Sequence, residues 1–384
     1  MPISESELNF DDAVDYHYDR FSPTQLDYEK LVDPLARAAD AIARFDQMLK
    51  NMHNSELLLA PLRNQEAVIS SRMEGTVSTM DEILRYEADY NEGTEEEADD
   101  RRAVRQEVVE TILYRRALTA AVKAIEDGQP ISPWLIQALH KRLLSFGRGQ
   151  SKSPGEFKKE QNYLANKTKR NVLFIPISPE RLQEGVDRLF NYIETSDHQV
   201  LLKTAIAHVE FEALHPFKDG NGRIGRMMIT LMLWKFGIIS APHFYISGYM
   251  EEQKDAYIDS MRLVSKEDDW TSWCVFFLKA IESQSIRNLE IAESIRNLYD
   301  EMKKVFSKKL ASKYSLNALD FVFTNPIFRN NRFTNPKISG IPGPSAARFT
   351  RILLDAGLLV TLEKASGRRP ALYMFEPLTK LVRV

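Results

Sequence analysis

The chain has 384 residues, 43% hydrophobic and 27% charged, with a net charge of −3. This is the make-up of a soluble globular protein of two or three domains, with no overall charge that argues for a particular partner. A single cysteine, Cys274, excludes an intrachain disulfide and any CxxC site.

The N-terminus, MPISESELNFDD, is acidic and has no apolar run, so no secretory signal is expected. Helical spacing of apolar residues runs through 30–50, 55–73, 101–126 and 180–194. Residues 87–100 hold eight acids in fourteen positions and read as an exposed link. Residues 130–146 read as a helix capped by Ser132 with Pro133 at its first position. Residues 165–177 break the helical pattern and read as a small hairpin. The most apolar window, MMITLMLWKFGII, is too short to cross a bilayer and carries Lys235. The expectation is a cytoplasmic protein with no membrane contact. Residues 269–313 predict one or two long helices, and Cys274 within TSWCVFFL reads as core.

The last segment has its own pattern. SLNALDFVF predicts a short helix, a second helix starts near Ser345, and VTLEKASGRRPALYMF reads as strand, turn, strand. That order is the layout of a winged helix. Residues 301–384 carry 15 Lys/Arg against 5 Asp/Glu, which leaves −13 for the rest of the chain. A basic tail on an acidic body points to a nucleic-acid partner, or to a solvated basic surface with none. The expected boundaries are an N-terminal helical region over 1–129, a core over 130–284, and a linker helix with the winged helix over 285–384.

The stretch HPFKDGNGRIGR, His215 to Arg226, sits between two apolar helical runs. Gly220, Asn221 and Gly222 tolerate positive φ and allow close backbone approach. Standing before a helix, their N–H groups would form an anion site. Arg223 and Arg226 share a helix face and suit phosphate oxygens. Asp219 beside a phosphate site calls for a cation, and Mg²⁺ held by one carboxylate and phosphate oxygens supplies it. His215 is then the proton acceptor. Together these residues predict transfer of a phosphorus-containing group to a hydroxyl. No GxxxxGK[ST] occurs, and no strand precedes the GxG, so a Walker loop and a dinucleotide fold are disfavoured. Glu212 and His215 form one E-x-x-H pair with no second copy, which makes a di-iron bundle a poor reading. His208, Glu212 and His215 lack a further ligand for zinc.

HPFKDGNGRIGR resembles the Fic family signature HxFx[D/E]GNGRxxR at every specified position, and a broader likeness covers roughly 60–285. The resemblance implies a mainly α protein: a Fic-type helical core with a β-hairpin flap, an N-terminal helical region and a C-terminal winged helix. It implies a protein adenylyltransferase that moves AMP from ATP to a Ser, Thr or Tyr hydroxyl of a target protein, with self-modification as one outcome. His215 would be the base and Asp219 would hold Mg²⁺. Gly220, Asn221 and Gly222 would cradle phosphate, Arg223 and Arg226 would bind the outer phosphates, and Phe217 would point into the core. GNGR, where Doc-type phosphotransferases tend to have ANKR, favours AMP transfer. The hairpin at 165–177 would be the flap on which an extended target segment pairs.

Ser70-x-x-x-Glu74-Gly75 resembles the family's inhibitory helix, placed around 60–75. Glu74 would then occupy Arg226 and misplace the triphosphate. Some family members also remove AMP with the same glutamate. Tyr249 and Tyr257 are candidates for the adenine pocket by position, and a homodimer masking the inhibitory helix is a further expectation. The rival reading is a DNA-binding regulator whose core senses nucleotide, with Arg368 and Arg369 on the wing.

Overall fold

The computed structural model describes residues 8–52, 55–89, 105–166 and 170–383, with the backbone alone for 55–58. The chain is mainly helical, as expected from its periodicity. In chain order the elements begin with β1 (Val14–Asp15), α1 (Tyr28–Lys50), α2 (Ser55–Met73), α3 (Met80–Asp89), α4 (Gln106–Glu126) and α5 (Pro133–Leu143). There follow β2 (Leu164–Ala165), β3 (Val172–Ile175), α6 (Pro179–Thr195), α7 (Val200–Leu214) and α8 (Asn221–Lys235). Next come α9 (Ser247–Glu252), α10 (Lys254–Glu267) and the long α11 (Trp270–Leu310). The last region holds α12 (Ser315–Thr324), β4 (Ile327–Arg329), α13 (Asn330–Phe333), α14 (Pro336–Ser339) and α15 (Gly343–Asp355). It ends with β5 (Leu359–Glu363), β6 (Leu372–Phe375) and α16 (Glu376–Val382). Of the acidic stretch predicted as an exposed link, residues 87–89 instead end α3, with Ala88 buried in its apolar face, and 90–100 lie outside the described residues, as do 167–169 of the hairpin tip.

Two compact units result. The first takes residues 1–46, 73–75 and 113–286. In it α7 and α8, which read from the sequence as apolar stripes, are buried on nearly every side, charged residues included. Two of the buried polar residues on α7 find side-chain partners. Glu210 accepts from Tyr16 Oη at 2.6 Å and pairs with His17 Nε2 at 2.7 Å, and His208 Nε2 meets Tyr257 Oη at 2.8 Å. Cys274 is buried, as predicted. Ser132 caps α5 by accepting from Leu135 N, with Pro133 in the first turn. The predicted hairpin forms as β2 antiparallel to β3. It carries a third strand that local pattern did not announce. β1 lies parallel to β3, pairing Val14 with Phe174, so the sheet order is β1-β3-β2.

The second unit takes residues 47–72, 76–112 and 287–384. Its sheet has the order β4-β6-β5, all antiparallel. Met80, Leu84 and Ala88 of α3 pack on Ile327, Leu372 and Met374 of that sheet. The strand, turn, strand expected over VTLEKASGRRPALYMF is present as β5 and β6, and α12 and α15 fall where helices were predicted.

Candidate active site

The motif loop is held by backbone geometry first. α7 stops at Leu214, and His215 takes the left-handed conformation, φ 43° and ψ 61°, as its C-cap. Gly220, φ 79°, starts α8 from the same region, where a β-carbon would be strained. Between them, Asn221 closes a small ring. Its Oδ1 accepts from Phe217 N at 2.9 Å, and its Nδ2 donates to Phe217 O at 2.8 Å. Asn221 therefore spends its amide on the loop. Phe217 is fully buried and stacks on His140 with centroids 3.8 Å apart. His140 Nδ1 accepts from Gly155 N at 2.8 Å, so Nε2 carries the proton donated to Asp219 O at 2.9 Å. Burial lowers the His140 imidazole to about 4, so this donor stays neutral.

Two arginines project from the first turns of α8. Arg226 is 2% exposed, and its Nη2 lies 2.7 Å from Oε1 of Glu74, which is 29% exposed. Burial by itself would raise the Glu74 carboxyl. Arg226, with Arg223 and His215 nearby, outweighs it and holds the group below its usual range. Glu74 sits close because residue 222 is glycine: a β-carbon there would lie 2.2 Å from Glu74 Oε1. Met73 O, the residue before, accepts from Lys254 Nζ at 2.9 Å. Arg223 is buried too. Its Nη2 lies 3.3 Å from Asp219 Oδ1, while Nε and Nη1 have no protein partner among the described residues. Orphaned guanidinium donors at a helix N-terminus suit an anion.

A cavity of about 300 Å³ opens beside these groups. Glu74, Glu212, His215, Gly222 and Arg226 are among its lining residues, together with Tyr257 and Met261. Burial, reinforced by Lys158, lowers His215 to about 4, so its ring is neutral and able to accept a proton. Its Nδ1 is buried without a partner among the described residues. Glu212 goes the other way. Burial raises its carboxyl to about 8, with Arg226 opposing and the Glu74 charge adding.

The structure thus brings His215, Glu74, Gly222, Arg226 and Tyr257 to one cavity. Gly220, Asn221, Arg223 and Asp219 stand on the adjoining loop and first turn. Tyr249 is not among the lining residues; its N–H donates to Gln284 Oε1 at 2.9 Å and its ring meets Phe276. Sequence reasoning missed Lys254, Ile258, Met261 and Arg262, which also line the cavity. Their signal was available: with Tyr257 they recur every three or four residues, one face of a helix.

The Asp219 carboxylate is 39% exposed. No group of three or more His, Cys, Asp or Glu able to hold a metal occurs among the described residues. A cation at Asp219 would need phosphate oxygens and water for the rest of its shell, and Mg²⁺ binds in that manner. The residues fit Mg²⁺ delivered with a nucleotide.

A model of the Fic/DOC family N-terminal region matches residues 32–123, and the Fic/DOC family model itself matches 130–233. Together the matches cover just over half of the chain. The chain belongs to the Fic/DOC family. It is similar to the protein adenylyltransferase fic-1 of Caenorhabditis elegans, 29% identical over 105 residues, 27% of this chain and 19% of that protein. It is also similar to a uridine 5'-monophosphate transferase of Xanthomonas campestris, 29% identical over 127 residues, 30% of this chain and 23% of that one. The match thus spans a quarter or less of either curated relative. A solved Fic family structure from Desulfovibrio desulfuricans shares the fold at TM-score 0.58, with 17% identity, over 92% of this chain and 98% of that one.

Proposed function

We propose that this Fic protein transfers AMP from ATP to a hydroxyl of a protein target, with Glu74 holding the reaction back. The observation that carries the reading is the Glu74–Arg226 pair, 2.7 Å apart, in the wall of the cavity that His215 also lines. An arginine at that place suits the outer phosphates, and a carboxylate already on it keeps them out.

In the step itself, the target hydroxyl oxygen attacks the α-phosphorus. A new P–O bond forms, and the bond from the α-phosphorus to the pyrophosphate oxygen breaks. The hydroxyl proton passes to the neutral ring of His215, which its low pKa keeps ready. The first turn of α8 and the orphaned donors of Arg223 would receive phosphate charge. Mg²⁺ on Asp219 would neutralise part of the triphosphate. Tyr257 and Met261 would face the base, and the β2–β3 hairpin, whose Leu164 and Phe174 line the cavity, would be the surface over which a target passes.

The likeness to a uridine 5'-monophosphate transferase gives the nucleobase a second reading, UTP in place of ATP. The DNA-binding alternative is weakened by the wing itself. The helix, strand, helix, hairpin order supports a winged helix, yet Arg369 Nη2 lies 3.2 Å from Asp89, so part of the basic charge is answered within the unit.

The test uses α-labelled ATP or UTP with wild type, Glu74→Gly, His215→Ala and the double variant. Label on protein is expected to rise about 5–150-fold with Glu74→Gly, the size of an ordinary regulatory coupling. It should fall ~10²–10⁴-fold when His215→Ala is added. Equal label in wild type and Glu74→Gly would overturn the inhibitory role, and label surviving His215→Ala would overturn the base.

A further inference from the structure

His215 sits at φ 43°, a left-handed conformation that strains a residue with a β-carbon. Such a residue stays there only when its surroundings over-determine it. The carbonyls of Leu214, His215, Pro216 and Phe217 are all answered by one short segment outside the nucleotide motif. Lys158 Nζ donates to Leu214 O at 3.2 Å, and Lys158 N to Pro216 O at 2.8 Å. Asn162 Nδ2 donates to both His215 O and Phe217 O at 3.1 Å. Lys158 Nζ also donates to Asn162 Oδ1 at 2.7 Å, which fixes which end of the amide faces the loop. Gln161, between them, donates to Pro176 O at 2.9 Å, just past β3.

We propose that Asn162, braced by Lys158, is a positioning residue that holds His215 in the left-handed conformation from which its ring lines the cavity. The argument is one of number. Four successive carbonyls are met by two side chains and one backbone N–H of the same short segment. Asn221 holds the loop from the other side, at Phe217, and does not reach the His215 carbonyl. With Asn162 gone, the His215 carbonyl loses its donor, and the peptide is free to rotate toward an ordinary helix end. The ring would then leave the hydroxyl it must deprotonate, while the phosphate cradle on α8 stays in place.

The inference rests on His215 as the base, so the test separates the two. In the Glu74→Gly protein, Asn162→Asp removes both donated bonds and keeps an acceptor for Lys158; Asn162→Ala removes everything. Both are expected to lower kcat for label transfer ~10²-fold, the cost of a misplaced group, with KM for ATP unchanged. Independently, histidines labelled with ¹⁵N are followed by NMR, the His215 signal being identified by its loss in His215→Ala. That signal should shift or broaden in both Asn162 variants. If transfer is absent from every protein but the signal still moves, the AMP reading fails and the positioning stands. An unmoved His215 signal in a folded variant overturns the proposal, whether kcat falls or not, and if Asn162→Ala does not fold, Asn162→Asp decides.

Discussion

Two buried arginines, one in each unit, have the same chemistry and opposite settings. Arg226 meets Glu74 in the wall of a cavity, on a residue that follows the end of α2 and precedes Gly75, which has φ 81°. Arg329, 5% exposed, is gripped from three sides. Asp89 takes Nε at 2.6 Å and Nη2 at 3.3 Å, while Nη1 meets Glu363 at 2.7 Å and Pro370 O at 3.1 Å. It does not line the His215 cavity or the small one beside Met80 and Leu84. A guanidinium whose carboxylates come from a helix and a strand is a rivet between α3 and the β4-β6-β5 sheet. A guanidinium whose carboxylate stands in the wall of an open cavity can exchange that partner for another anion. The difference lies in what surrounds the pair, not in the pair.

Breaking the rivet should have the largest effect on stability. Arg329→Met takes from Asp89 and Glu363 the buried cation they share and leaves them only the more exposed Arg369 and Arg85, and loss of one partner of a buried pair costs ~3–5 kcal/mol. Urea unfolding followed by circular dichroism should show that loss, while label transfer per folded molecule stays as in the parent. If Arg329→Met is as stable as the parent, Arg329 contributes no more than a surface pair and the contrast with Arg226 fails.

The comparison also marks how far the sequence could be read. The motif loop was legible because its chemistry is local. Gly220 at positive φ, arginines three apart and the Asn221 amide closed on Phe217 all act within twelve residues. Ser132 and Pro133 were legible for the same reason. Arg329 was counted as part of a basic tail, because its acidic partner Asp89 is distant in sequence and lies in a stretch read as an exposed link. Arg383 is answered similarly by Asp81, at 2.8 Å. β1 escaped notice because a two-residue strand has no periodicity, and its partner β3 is far along the chain. Asn162 and Lys158 are ordinary polar residues in a loop, and their role exists only where the loop meets the end of α7. Glu74 became visible only through resemblance, since S-x-x-x-E-G alone fits any solvated helix end.

A smaller effect is expected at the exchangeable pair. Glu74→Gly leaves Arg226 buried without that carboxylate, but Glu74 is partly solvated and its loss should cost about 1–3 kcal/mol, the range for hydrogen bonds to charged groups. An anion that takes its place should return this. ATP at ~100 times its dissociation constant stabilises by ~2.7 kcal/mol. The melting temperature of Glu74→Gly should therefore rise more with ATP and Mg²⁺ than that of wild type, which must give up Glu74 first. Equal rises would mean that nucleotide and Glu74 do not compete for Arg226. Because the Glu74 pKa is lowered on folding, its contribution is present at neutral pH and is lost only as pH falls through the carboxylate range.

The last effect appears only as pH changes and concerns the second carboxyl near Arg226. Burial, with the Glu74 charge, keeps Glu212 protonated to about pH 8, whereas in the unfolded chain it ionises near 4.3. Between those values the folded state binds the extra proton, so this group's contribution falls as pH rises. Glu212→Gln keeps a neutral side chain of similar shape and removes that dependence. The stability gap between Glu212→Gln and wild type should be least at about pH 4 and widen in favour of the variant from there toward pH 8, by up to ~1.4 kcal/mol per pH unit. His140, His208 and His215, whose pKa values are lowered by burial, act in the opposite sense at lower pH but are common to both proteins and cancel. Repeating the pair of measurements in Glu74→Gly sharpens the point. With the Glu74 charge gone, Glu212 becomes the carboxylate closest to Arg226 in electrostatic effect, ionises more easily, and the gap should shrink. A gap that stays the same would mean that Glu74 and Glu212 do not share the charge of Arg226, and that the exchangeable pair is as isolated as the rivet.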